Sequence, residues 1–249
     1  MKIKHILVSQ PEPTDSRSPF LDLADKYGLK IDFRPFIKVE GVNGQEFRQE
    51  RINILDHSAI ILTSRNAVDH FFRICKEMRV NVPESMKYFC ISDAVAFYMQ
   101  KYIVYRKRKV FIGKHSFSDL MEVIKKHKGE RYLLPCSNLQ QPEIPAVLEK
   151  AGINFTNAEL YRTVPCDLKD LKDLKYDMIV FFSPGGIESL QKNFPKYRQN
   201  GTVIAAFGPT TSQAVRDAGL ELNIEAPLPE APSMTGAIEL FIKAQAKKK

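Results

Sequence analysis

Short polar turns recur along this chain, each directly after a run of core-type residues. They are Thr63-Ser64-Arg65-Asn66 after Ala59 to Leu62, Ser92-Asp93 after the run that opens at Tyr88, Ser137-Asn138 after Tyr132 to Cys136, Ser183-Pro184-Gly185-Gly186 after Met178 to Phe182, and Gly208-Pro209-Thr210-Thr211 after Thr202 to Phe207. Most run on into apolar residues at helical spacing, such as Val68, Phe71, Phe72 and Cys75. Hydroxyl residues at such places cap a helix, and the uncapped N–H groups there sit at the positive end of its dipole. The chemistry on offer is the binding of anions by main-chain N–H groups. Gly185, Gly186 and Gly208 let the backbone approach a ligand closely. Taken singly each turn is an ordinary helix start; several on one sheet edge make an anion-binding cleft.

Such an edge requires parallel strands joined by helical crossovers. The stretch from Leu133 to Val164 supplies one such unit: a strand over Tyr132 to Cys136, a helix through Pro145, Leu148 and Ala151 stopped by Gly152, and a strand from Phe155 to Tyr161. The N-terminus reads in the same order, with a strand at Ile6 to Val8, the loop Ser9-Gln10-Pro11, a helix from Ser18 to Lys26, Gly28, and a strand over Ile31 to Val39. Lys26-Tyr27-Gly28 aligns with Lys150-Ala151-Gly152, Ser64 with Ser183, and Ser92 with Gly208. A helix from Gln45 to Ile54 lies between. Each copy ends in a strand, Val110 to Gly113 or Asn223 to Pro227, and a helix starting near Ser116 or Ser233. The expectation is two doubly wound α/β units whose ligands sit outside the carboxyl ends of the strands.

The 249 residues are ample for such a core, and the net charge of +8 favours an acidic partner. Cys75, Cys90, Cys136 and Cys166 show no CxxC spacing and read as reduced and structural. His5, His57, His70, His115 and His127 are scattered, which argues against a metal site. Neither serine turn carries a G-x-S-x-G elbow, so a serine hydrolase is not expected. The basic run Tyr105 to Lys109 and the tail Lys243 to Lys249 lack a stacking platform, and nucleic acid is not an expected partner. The start of the chain has no signal-peptide core, and no apolar run is long enough for a membrane span, so the expectation is a cytoplasmic protein with no membrane partner.

Five segments, ILTSRNAV (Ile61 to Val68), LPCSNL (Leu133 to Leu139), LYRTV (Leu160 to Val164), FFSPGG (Phe181 to Gly186) and FGPTT (Phe207 to Thr211), resemble the uroporphyrinogen-III synthase family in order and spacing. The resemblance implies two flavodoxin-like doubly wound domains joined by a two-stranded link, with the active site in the cleft between them. It places residues 1–36 with 165–249 in a first, discontinuous domain and 39–161 in an inserted second one, with 36–39 and 160–165 as connecting strands. It further implies a monomeric, cofactor-free lyase. In that reaction hydroxymethylbilane loses water, the substituted carbon of ring D attacks the resulting azafulvene, and a spiro intermediate reopens and recloses with ring D inverted. By the same resemblance Tyr161 is the catalytic tyrosine, and Ser64, Ser183, Thr210 and Thr211 line the cleft with Gly185, Gly186, Gly208 and Asn138.

The chain departs from the family pattern at two loops. Ser9-Gln10-Pro11 stands where many relatives have Thr-Arg-Pro, and Val95 stands where some carry a hydroxyl residue, leaving Ser92 or Asp93 as substitutes. Arg65 is the expected replacement for the missing arginine. The competing reading is a two-domain small-molecule or flavin-binding protein on the same fold, since a fold does not fix a function.

Overall fold

The computed structural model describes every residue except 1, 2, 16, 115, 140, 141, 172–174, 248 and 249. His115 and the last two lysines therefore lie outside the described residues. Two compact units account for the chain: one holds residues 1–38 and 164–249, the other residues 39–163.

The strands, in chain order, are β1 (His5–Val8), β2 (Lys30–Phe33), β3 (Ile37–Gly41), β4 (Ala59–Leu62), β5 (Lys87–Cys90), β6 (Val110–Ile112), β7 (Tyr132–Ser137), β8 (Phe155–Pro165), β9 (Met178–Phe181), β10 (Val203–Phe207) and β11 (Ile224–Ala226). The α-helices are α1 (Pro19–Tyr27), α2 (Gly44–Gln49), α3 (Arg65–Glu77), α4 (Asp93–Met99), α5 (Phe117–Ile124), α6 (Glu143–Lys150), α7 (Pro184–Asn193), α8 (Pro209–Asp217) and α9 (Met234–Lys247).

The first unit's sheet has the order β2-β1-β9-β10-β11, the flavodoxin pattern, with parallel neighbours throughout. The second sheet has the order β3-β8-β7-β4-β5-β6, and its pairs from β8 to β6 are parallel. Without β3 it is the first sheet again, β8 and β7 taking the places of β2 and β1. The predicted repeat and the two doubly wound sheets are both present.

Each sheet is buried on both faces, as its unbroken apolar strands require. In the second unit Ile60 and Leu62 pack with Val68, Phe71 and Ile74 of α3, whereas Ala59 and Ile61 turn to Leu120 and Ile124 of α5 and Leu148 of α6. In the first unit Ile6 and Val8 meet Leu23 of α1 and Ile238 of α9, and Leu7 faces Leu190 of α7 and Val215 of α8. Each such Val, Leu, Ile or Phe side chain stabilises its sheet by about 1.5–3 kcal/mol.

Local sequence explains the boundaries. Ser18 caps α1 by accepting from the Phe20 N–H, and Gly28, at φ 61°, ends it by donating to the Ala24 carbonyl. Three expectations needed correction. The strand expected over Ile31 to Val39 is two strands, β2 and β3, interrupted around Pro35, which has no N–H to give a ladder. The helix expected to reach Ile54 stops at Gln49, just before Arg51 turns left-handed at φ 55°. The strand expected to finish at Tyr161 continues to Pro165.

Gly113, between β6 and α5, is constrained by packing: a Cβ there would lie 3.0 Å from the Ile91 carbonyl oxygen and 3.0 Å from Leu120 Cβ. Gly113→Ala is expected to cost about 1–3 kcal/mol through overpacking. The denaturation midpoint measures it; an unchanged midpoint would mean that the β6–α5 junction yields freely.

Candidate functional site

In the second unit the strand order reverses direction between β7 and β4, and ligands of open α/β sheets collect at such a point. The carboxyl ends of these strands deliver Ser137 and Thr63-Ser64 to a cavity of about 270 Å³, whose lining includes Ile91, Cys136, Ile144 and Tyr161. Larger grooves exist in both units, but this one gathers the polar turns.

Tyr161 reaches the cavity because of a fault in the ladder. Ala158 and Leu160 point to one core cluster, and simple alternation would send Tyr161 to the other face. The pairing, however, steps from Cys136–Glu159 to Ser137–Tyr161, so β8 spends two residues against one of β7. Such a bulge re-aims a side chain, and Tyr161 joins the cluster of Leu160 with 8% of its surface exposed.

Its hydroxyl lies 3.4 Å from Ser64 Oγ, at the long limit of a hydrogen bond. Ser64 Oγ already accepts from the Ala67 N–H at 3.1 Å as the cap of α3. The phenol is thus lightly held and able to turn toward a ligand. Burial raises its pKa above the usual phenol value of 10.0, against an opposing pull from the Ser64 hydrogen bond. At neutral pH Tyr161 is a proton donor. The neighbouring Cys136 thiol is pushed up to about 11, chiefly by burial, and so is not a thiolate nucleophile.

Behind the phenol stands a group that sequence reasoning passed over. The His70 ring stacks on Tyr161, centroids 5.0 Å apart and planes 16° off parallel. Arg73 Nε donates to His70 Nδ1 at 3.1 Å, which assigns the neutral ring's proton to Nε2. Arg73 also donates to the carbonyls of Val42 at 2.7 Å and Leu160 at 3.0 Å, and pairs with Glu77 at 2.5 Å. Its guanidinium passes so close to Gly41 that a Cβ there would sit 2.6 Å away. The available signal was the His70/Arg73 spacing of three on the helix that a site serine caps.

Burial, and then Arg73, lower the His70 pKa below 6.5, with Asp69 opposing. A depressed folded value means that the unfolded chain binds the proton more readily. The stability His70 contributes is therefore present above pH 6.5 and lost as pH falls through the folded value. His70→Phe, which keeps a flat ring on Tyr161, is expected to flatten the acid limb of stability against pH relative to the parent. Superimposable curves would remove His70 from the acid transition.

The other predicted residues divide. Arg65 is exposed at the start of α3, its guanidinium 5.3 Å from the Tyr98 ring centre. Ser92 precedes α4 with its hydroxyl unused as a cap. Asn138 clamps Thr163, accepting its N–H at 2.9 Å and donating to its carbonyl at 3.3 Å, so its amide is already engaged.

In the first unit Ser183 precedes α7, again with no side-chain cap. Gly186 is close-packed, since a Cβ would meet Phe181 at 3.1 Å and Ser9 Oγ at 3.6 Å; at Gly185 it would meet Ile37 at 3.3 Å. Gly208, at φ 88°, is itself the residue preceding α8, and neither Thr210 nor Thr211 caps that helix as expected. Thr210 is exposed, whereas Thr211 is 2% exposed.

Among the described residues all four cysteines are free, and no group of three or more His, Cys, Asp or Glu side chains is placed to hold a metal ion. No described helix is long and apolar enough to cross a membrane.

Comparison with known proteins gives the same picture from outside the chain. The sequence model of the family described as uroporphyrinogen-III synthase HemD matches residues 18–236. The chain is 24% identical to the uroporphyrinogen-III synthase of Chlorobaculum parvum, over 97% of this chain and all of that protein. It is likewise 24% identical to the synthase of Schizosaccharomyces pombe, over 97% and 98% of the two chains. Among solved structures, uroporphyrinogen-III synthetase from Helicobacter pylori 26695 shares the fold at a TM-score of 0.58 and 16% identity, covering 97% of this chain and 100% of the other. A mutant synthase from Thermus thermophilus does so at 0.54 and 15%, covering 98% and 99%. With the family match extending over most of its length, the chain belongs to the uroporphyrinogen-III synthase family.

Proposed function

We propose that this protein converts hydroxymethylbilane to uroporphyrinogen III, acting as a cyclising lyase of tetrapyrrole biosynthesis. The observation that carries the reading is the family match over residues 18–236. Tyr161 at the switch-point cavity gives it a chemical focus.

In this reading the protonated Tyr161 phenol donates to the departing hydroxyl of the bilane, assisting loss of water as a general acid. The azafulvene so formed is attacked by the substituted carbon of ring D, and the spiro intermediate reopens and recloses with that ring inverted. Both reacting centres belong to the substrate, so the protein's main task is orientation.

The carboxylates of the bilane engage polar turns at helix N-termini, Ser64 and Arg65 on α3, Ser183 and Gly185 on α7, Gly208 and Thr210 on α8, with Ser92 on α4 adding a hydroxyl. Gly186 serves by letting α7 pack close to β9. Asn138 acts indirectly, by fixing β8 beside Tyr161, and Thr211 lies too deep for more than a supporting part. The protein works as a monomer without added metal or flavin, and without nucleic acid or membrane partners. Its unpaired cysteines support a cytoplasmic setting.

Incubation of the purified protein with fresh hydroxymethylbilane, followed by oxidation and separation of the uroporphyrin isomers, tests this. The type III isomer is the expected product; type I alone, as from unassisted closure, would overturn the proposal.

A further inference from the structure

The second unit contains a larger cleft, of about 830 Å³, lined by Tyr88 of β5, Val110 of β6 and one flank of α3. It lies at the amino ends of these strands, whereas the Tyr161 cavity is lined by residues following the carboxyl ends of β4 and β5. The volume suits a small organic ligand, and the walls are mainly apolar, Phe72, Met86 and Val110 among them. Phe72 stacks on Tyr102 at 4.6 Å with planes 10° apart, which gives the cleft a flat aromatic side.

Two further features show what would occupy it. Tyr88 lines the cleft and is only 5% exposed; its hydroxyl makes no hydrogen bond among the described residues and keeps a small opening to solvent. A hydroxyl in the wall of a cleft with no protein partner is free to exchange water for the acceptor of a ligand. Burial raises its pKa, which keeps it a donor.

The second feature is charge. The acidic groups of the lining are spoken for: Asp69 accepts from the Tyr98 and Tyr102 hydroxyls at 2.7 and 2.5 Å, and Glu84 from Arg106 at 2.7 Å. Lys76 and Lys109 also line the cleft and have no ion pair among the described residues. An apolar trough with two ammonium groups that make no direct ion pair, Lys109 interacting with Glu84 only at longer range, attracts an amphipathic anion.

We propose that this cleft is a second ligand site, which takes a small molecule with a flat apolar body, a hydrogen-bonding group that meets Tyr88, and one anionic group held by Lys76 and Lys109. The proposal is independent of the bilane reaction.

The full-length protein would be titrated with 8-anilinonaphthalene-1-sulfonate, and in parallel with the uncharged N-phenyl-1-naphthylamine, by fluorescence. Saturable binding of the sulfonate at one site is expected. Reversing both charges, Lys76→Glu with Lys109→Glu, is expected to weaken it about tenfold or more, equivalent to about 1.4 kcal/mol, while the uncharged dye is unaffected. In protein labelled with carbon-13 at the tyrosine Cζ, the Tyr88 signal, assigned with Tyr88→Phe, is expected to move on addition of the sulfonate. Absence of saturable binding, an affinity indifferent to the charge reversal, or a Tyr88 signal that stays put while the dye binds would each overturn the proposal.

Discussion

Tyr161→Phe is expected to slow formation of uroporphyrinogen III about 100-fold or more, the usual worth of a positioned general acid. The change removes one oxygen whose protein contact is the 3.4 Å approach to Ser64. The ring keeps its stack on His70 and its place in the core cluster, so stability is expected to shift by less than about 1 kcal/mol. Rate and denaturation midpoint, measured on the same preparation, separate the two effects. A full rate with Phe at this position would take Tyr161 out of the chemistry and leave orientation alone to account for catalysis. Ser64→Ala makes a useful companion. It removes the cap of α3, at a cost of about 1 kcal/mol, and is expected to slow the reaction less than the loss of the phenol.

Arg73→Ala is expected to have the largest effect on stability, about 3 kcal/mol. One guanidinium serves Leu160, Val42, His70 and Glu77, and the two carbonyls lose a charged donor on truncation. The rate should fall as well, because Leu160 precedes Tyr161 in β8 and His70 backs its ring. Arg73→Lys separates charge from geometry: an ammonium lacks the planar fork needed to serve these partners together, and only part of the stability should return. Urea denaturation of the three proteins, with turnover at saturating substrate, is the measurement. A tolerated Arg73→Ala would show that β8 holds Tyr161 without help from α3.

The order of elements was legible because it is written locally. Ser18, Ser64, Ser116 and Ser183 stand where helices begin, Gly28 and Gly152 where they end, and the apolar strands between them allow little but a sheet covered on both faces. The surroundings of Tyr161 were legible only as a position. Its aim depends on a register shift between Cys136 and Ser137, set by the match of two strands and carried by no residue type. His70 and Arg73 read as the middle of an amphipathic helix; their parts emerge only when α3 is laid against β8. Thr211 erred the other way, since a threonine two residues into a helix looks available until the neighbouring core covers it.

The matching sheet orders have a consequence for descent. Along the sequence one copy of the repeat supplies β1, β2 and β4 to β6, and the other supplies β7 to β11. In space β1 and β2 join β9 to β11, while β7 and β8 join β4 to β6. Each lobe is a hybrid, its opening strands drawn from one copy and its closing strands from the other. A half-length ancestor could have built these lobes as two identical molecules exchanging arms, later fused head to tail into a single gene.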